Sequence, residues 1–105
     1  MYNEGNFIRD TLLSAVKQNC SVIISDNGST DLTQSICEEF QNKYPNIQYI
    51  RQEKNLGSWL NFEYVLDHAT TPYFMWLGGH DFISDQFVAN AFLALKDSIE
   101  TVGVF

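Results

Sequence analysis

The chain has 105 residues, of which 45% are apolar and 14% aromatic, and carries a net charge of −7. That length fits a single domain with a modest core, and the apolar share excludes intrinsic disorder. Thirteen acidic residues against six scattered basic ones repel a phosphate backbone, so nucleic acid is excluded as an expected partner. No run of about eighteen apolar residues occurs, and no secretory leader precedes the first helix, so a cytoplasmic location is expected. Cys20 and Cys37 fit a reduced protein better than a disulfide framework, and both read as small core residues.

From Gly5 to Gln18 the apolar residues Ile8, Leu12, Ala15 and Val16 recur at helical spacing and form one stripe. Val22–Ser25 is a short β-branched run that stops at Asp26-Asn27-Gly28-Ser29, which predicts a strand buried on both faces. Thr30 is the predicted N-cap of the next helix, and Asp31 suits its positive end. Leu32, Ile36, Phe40 and Tyr44 follow every four residues with Cys37 beside them, and Pro45 closes the helix. Asn46–Arg51 predicts a second strand. After the turn at Asn55-Leu56-Gly57, Trp59, Phe62, Leu66 and Ala69 form a third helical stripe, with Trp59 and Phe62 expected in the core. Thr70-Thr71-Pro72 breaks that helix.

Tyr73–Leu77 predicts a third, wholly apolar strand, ending in Gly78-Gly79-His80-Asp81. Ser84 is expected to cap a last helix with Phe87, Ala91 and Leu95 on its buried stripe, flanked by Val88 and Ala94. Thr101–Phe105 reads as the start of a fourth strand. Strands alternating with helices predict an α/β fold with right-handed crossovers and a parallel sheet covered on both faces. Ligands of such sheets bind beyond the carboxyl ends of the strands, which is where Asp26 falls. A helix comes first, with no strand before it, so the chain reads as part of a larger domain whose central strand is missing. Unpaired strand edges then make homo-oligomerisation or strand exchange an expected outcome.

Taken alone, Asp26-Asn27-Gly28 reads as an Asx-turn before a helix, and Tyr2-Asn3-Glu4 as an N-terminal cap. Taken together, four stretches resemble family-2 glycosyltransferases in their order and spacing: Tyr2 to Gly5, Ser25 to Asp31, Asn55 to Asn61, and Trp76 to Asp81. The resemblance runs from Tyr2 to about Ser84. Enzymes of that family invert configuration at the sugar, use nucleotide-diphosphate donors and have the GT-A fold. The resemblance therefore implies residues 1–105 of a Rossmann-like, mostly parallel sheet with helices on both faces, lacking its first strand and its C-terminal acceptor half. It implies transfer from a nucleotide-diphosphate sugar, UDP-linked by preference, to a glycan or lipid-linked hydroxyl acceptor, in the setting of bacterial polysaccharide synthesis. The parent protein would lie in the cytoplasm or against the inner face of the membrane.

Residue by residue, the resemblance places Tyr2, Asn3 and Glu4 against the nucleotide base and makes Asp26 the acceptor for a base N–H. A carboxylate accepts only, so it selects for a donor edge. Asn27 stands where many members carry a second Asp. Asn55, Gly57 and Asn61 match an Asn-x-Gly and the Asn one turn into the next helix, near the diphosphate. Leu60 stands where a basic residue is common. At the family's Asp-x-Asp, Gly78 replaces the first Asp and His80 the last, while the additional Asp81 is kept. A divalent cation, Mn²⁺ or Mg²⁺, would then be held by His80 and Asp81, with Asp81 also near the nucleotide sugar. Imidazole suits Mn²⁺ better than Mg²⁺. The general base lies further along such chains, so no catalytic residue falls within 1–105, and this stretch alone is expected to bind donor weakly and turn over nothing.

Two other classes compete. A non-catalytic nucleotide-binding module would keep the scaffold and lose the cation, as Gly78 and His80 suggest. A flavodoxin- or receiver-like domain would also place an acidic pocket at the strand ends, but a receiver needs a Lys ending a later strand, and none follows Tyr73–Leu77.

Overall fold

The computed structural model describes residues 1–97. In chain order these form α1 (Ile8–Val16), β1 (Val22–Asp26), α2 (Thr33–Lys43), β2 (Ile47–Arg51), α3 (Ser58–His68) and α4 (Phe87–Asp97). The strand expected at Thr101–Phe105 lies outside the described residues. Among them, no helix is long and apolar enough to cross a membrane.

The sheet consists of β1 and β2, parallel, in register from Val22 opposite Ile47 to Asp26 opposite Arg51. Consecutive side chains of a strand point to opposite faces. Ile24 accordingly packs into a core of Ile8 and Leu12 from α1, Cys37 and Phe40 from α2, and Ile47 from β2. Ser25 faces the other way, where its hydroxyl donates to Asn61 Oδ1 of α3 at 2.6 Å. Helices thus cover both faces, as the α/β pattern predicts. The stripes of α1 and α2 supply that core because Ile8, Leu12 and Ala15, and then Cys37 and Phe40, each lie on one side of their helix.

Five expectations are corrected. Tyr73–Leu77 joins no sheet among the described residues, because no strand lies beside it to pair with. In α3 the apolar stripe faces outward: Trp59 is 73% and Phe62 50% exposed, while Asn61 is buried. The reason is polar. Asn61 Nδ2 also donates to the Ser25 carbonyl at 3.1 Å, and this two-way clamp turns the Asn face of α3 toward β1.

The start of α2 differs as well. Leu32 is exposed and Thr30 caps nothing; Asp31 Oδ1 instead accepts from the Thr33 N–H at 2.9 Å, and α2 begins at Thr33. At α4 the capping acceptor comes from a distance, since Gln18 Oε1 receives the Val88 N–H at 3.0 Å while its Nε2 donates to the Ser84 carbonyl. Finally, Cys37 is core as expected but Cys20, just before β1, is exposed.

These burial differences set stabilities. Phe40→Ala should cost about 3–5 kcal/mol in urea unfolding. Trp59→Ala should change the unfolding free energy by less than about 0.5 kcal/mol, as for an exposed surface substitution; a larger loss at Trp59 would place that ring in the core after all.

Candidate functional site

Loops from four parts of the chain converge at the carboxyl end of the sheet. The first, Met1 to Gly5, is stitched to the loop after β1 by consecutive backbone donors. Asn3 N–H reaches Ser29 Oγ at 2.9 Å, Glu4 N–H reaches Thr33 Oγ1 at 2.9 Å, and Gly5 N–H reaches Asp31 Oδ2 at 3.0 Å. Asn3 adopts a left-handed φ of 51°, which an Asn tolerates, and its Oδ1 accepts the Thr30 N–H at 2.8 Å. The Met1 carbonyl accepts the Asn27 N–H at 2.7 Å. Tyr2 stays exposed on this loop.

Asp26 closes β1 with no exposed surface. Its Oδ1 accepts the Ser29 N–H at 2.9 Å, and its Oδ2 accepts the Tyr49 hydroxyl of β2 at 2.6 Å. Burial and then this neighbouring carboxylate push the Tyr49 phenol well above its ordinary value. Asn27, also buried, braces the third loop: its Nδ2 donates to Asn55 Oδ1 at 2.7 Å and its Oδ1 accepts the Leu56 N–H at 2.7 Å. Gly28 sits at φ 79° so close to the third loop that a Cβ there would lie 3.1 Å from the Lys54 carbonyl carbon. Gly57, at φ 86°, opens α3 with free space around it. Asn27 and Asn61 are therefore committed to the protein's own framework, whereas Tyr2, Asn3, Gly57, His80 and Asp81 are exposed at the rim.

The fourth loop, Gly78 to Asp81, closes over the first. Gly79 packs against Met1 and Glu4, where a Cβ would lie 2.8 Å from Glu4 Cγ, and its carbonyl accepts the Thr11 hydroxyl at 3.1 Å. His80 Nδ1 lies 3.3 Å from Glu4 Oε1. Asp81 folds back over the turn, its Oδ2 only 2.6 Å from where a Cβ on Gly78 would stand. Among the described residues no group of three or more His, Cys, Asp or Glu is arranged to hold a metal ion. His80 and Asp81 do not by themselves fit a divalent cation, because the imidazole faces Glu4 and Gly78 brings no donor.

Three contributors were not singled out from sequence as site residues. Arg51 Nη2 donates to the Ser29 carbonyl at 3.0 Å and brings a guanidinium to this edge. The signal for it was positional: the last residue of β2 faces the last residue of β1 in a parallel register. Tyr49 and Thr33 act inside the structure, and only the register and the loop geometry reveal them.

A family model described as "Glycosyl transferase family 2" matches residues 1–103. An uncharacterized protein of Mycobacterium tuberculosis is 34% identical over 89 residues, covering 80% of this chain and 26% of that protein. The minor teichoic acid biosynthesis protein GgaA of Bacillus subtilis is 36% identical over 63 residues, covering 54% of this chain and 14% of that protein. The crystal structure of S. aureus TarS in complex with UDP superposes with a TM-score of 0.82 at 25% identity, covering 92% of this chain and 30% of that one. The chain thus spans about a quarter of the length of the mycobacterial relative.

The phenol of Tyr49 gives a direct check on this geometry. Because its folded-state pKa lies above the ordinary value of 10.0, its contribution is complete below pH 10 and declines as pH rises beyond it. In an ultraviolet titration one of the five tyrosines should stay protonated until the protein unfolds. Tyr49→Phe should remove that late step and cost about 1.5–3 kcal/mol of stability, the range for a hydrogen bond to a charged group.

Proposed function

The chain belongs to glycosyl transferase family 2, and from that premise we propose that residues 1–105 are part of one GT-A nucleotide-binding domain serving bacterial glycan synthesis. The parent reaction is transfer of a sugar from a nucleotide diphosphate, UDP by preference, to a hydroxyl acceptor with inversion. The observation that carries this reading is the convergence of the four loops on the buried Asp26 carboxylate at the sheet's carboxyl edge. The UDP held by TarS, whose structure superposes on 92% of this chain, supports the choice of base.

Each Asp26 oxygen accepts one bond from the protein, and a carboxylate has about four lone-pair sites, so acceptor capacity remains for a base N–H. Because Asp26 has no exposed surface, the base reaches it only when the Tyr2 to Glu4 loop shifts or the Tyr49 hydroxyl gives way. Tyr2, Asn3 and Glu4 then flank the base. The Arg51 guanidinium and the first turn of α3, with open space beside Gly57, meet the negative diphosphate. Asn27 and Asn61 contribute by holding the third loop and α3 in place, and Asp81 with His80 borders the sugar side. The acceptor site and general base are assigned to the remainder of a parent protein, since this chain covers 26% of the mycobacterial relative. A second reading, nucleotide binding without catalysis, is favoured by Gly78 and His80 at the cation motif; a transferase assay on the longer protein separates the two.

A thermal-shift titration with UDP, GDP, dTDP and CMP tests the proposal. UDP should raise the melting temperature with concentration, as mass action on the native state requires. Asp26→Asn and Arg51→Ala should each weaken UDP by about tenfold, a loss of roughly 1.4 kcal/mol. No shift with any nucleotide in a cooperatively melting sample would overturn the donor-site reading.

A further inference from the structure

The two bonds that Asp26 accepts come from different parts of the chain. Ser29 N–H closes the turn after β1, while the Tyr49 hydroxyl arrives from β2. In the parallel register Tyr49 stands opposite Ile24, two residues before Asp26 and on the same face of the sheet. The phenol therefore reaches diagonally along the sheet to the strand end, while its ring packs against the core of Ile24, Cys37 and Phe40. Its backbone is tied down as well, since Tyr49 N–H donates to Gln41 Oε1 of α2 at 2.6 Å. Burial, and then the neighbouring carboxylate, hold the phenol protonated through the ordinary pH range, so toward Asp26 it is a donor.

The terminal torsion of an aspartate is broad, and one hydrogen bond leaves the carboxylate free to turn about it. Two donors of fixed position, one on each oxygen, set its plane. What remains is acceptor capacity in a fixed direction. A uracil ring presents N3–H, a donor, flanked by two carbonyls. Cytosine presents a lone pair at N3 with an amino group beside it. A carboxylate held in one plane meets the uracil donor and sets its own lone pair against cytosine N3. One that is free to turn can swing to the cytosine amino group instead.

On the donor-site reading above, we propose that Tyr49 is a positioning residue for base recognition, its hydroxyl holding the Asp26 carboxylate in the orientation that accepts a uracil N–H and turns away cytosine. Tyr49 does not touch the base. It approaches Asp26 from the core side and stays bonded when nucleotide enters, so the opening movement belongs to the Tyr2 to Glu4 loop. A site built to hydrogen-bond one group of its ligand rejects an analogue lacking that group far more strongly than an apolar pocket does. Here the rejection depends on a side chain one strand away from the carboxylate that carries it out.

The test is calorimetric titration of the 105-residue chain with UDP and with CDP. The wild type should prefer UDP. Tyr49→Phe should weaken UDP by about tenfold and cut the preference for UDP over CDP by about as much. Replacing Tyr49 with 4-fluorophenylalanine, which fills the place of the hydroxyl without a donor, must give the same result. Replacing it with 3-fluorotyrosine, which keeps the O–H, must restore both affinity and preference. Phe40→Leu loses stability in the core and should leave the preference unchanged, which separates base recognition from folding. An undiminished preference in Tyr49→Phe overturns the proposal, as does failure of the 3-fluorotyrosine rescue. Tighter UDP binding by Tyr49→Phe also overturns it, because the hydroxyl would then be a competitor of the base. A wild type that binds nucleotide without preferring UDP to CDP overturns this proposal alone; one that binds no nucleotide overturns the donor-site reading with it.

Discussion

A carboxylate without exposed surface has to be met by donors inside the protein, and Asp26 organises this end of the molecule for that reason. Its two oxygens bind different parts of the chain. The Ser29 N–H ties the strand to the turn that follows it, and the Tyr49 hydroxyl ties β1 to β2 across the sheet. The turn, once fixed, presents Ser29, Asp31 and Thr33 as acceptors for three N–H groups of the Met1 to Gly5 loop. That loop in turn seats Gly79 and faces His80. Each layer of the site thus rests on the one beneath it. The candidate donor site is a set of loops held by hydrogen bonds around one strand end.

The same preference for satisfying buried polar groups decides how α3 lies. Ser25 and Asn61 exchange two hydrogen bonds while both are buried, and leaving either without its partner would cost about 1–3 kcal/mol, comparable with what burying one apolar side chain gains. The helix therefore turns its amide inward and leaves Trp59, Phe62 and Leu66 largely in solvent. Asn27 works similarly on the loop before α3, through Asn55 and Leu56. No buried side-chain polar atom among the described residues lacks a partner. Polar satisfaction has precedence over apolar burial on this face of the sheet, whereas on the other face the α1 and α2 stripes close a conventional core.

Much of the fold was legible in local pattern. The β-branched run at Val22 gave a strand, the i, i+4 spacing of Ile8 and Leu12 gave a helix, and α2 ends at Lys43, two residues before Pro45. These features depend on neighbours within a few residues. The failures depend on distant ones. Tyr73–Leu77 has strand composition, but a strand exists only by pairing, and composition says nothing of the partner. The inward face of α3 rests on Ser25, far away in sequence, and the α4 cap comes from Gln18. Of the candidate site, the motifs named loops that the structure brings together, with Tyr2 to Glu4, Asp26, Asn27, Gly57 and His80 at one edge. What the motifs could not give is which of those side chains face outward, because exposure is set by the hydrogen bonds between loops. Arg51 was hidden for a related reason: nothing in its local sequence distinguishes it until the register sets it opposite Asp26.

The outward-facing aromatic surface of α3 has a colloidal consequence. Molecules carrying Trp59, Leu60 and Phe62 in solvent attract one another at short range, and what opposes that attraction is the long-range repulsion between copies of net charge −7. Salt shortens the reach of that repulsion to about 8 Å at physiological ionic strength without weakening the apolar attraction. Acidification, by neutralising carboxylates, removes the repulsion at its source. The acidity of the chain therefore opposes association through α3, a consequence of composition that becomes visible only once the helix is seen to turn its aromatic residues outward.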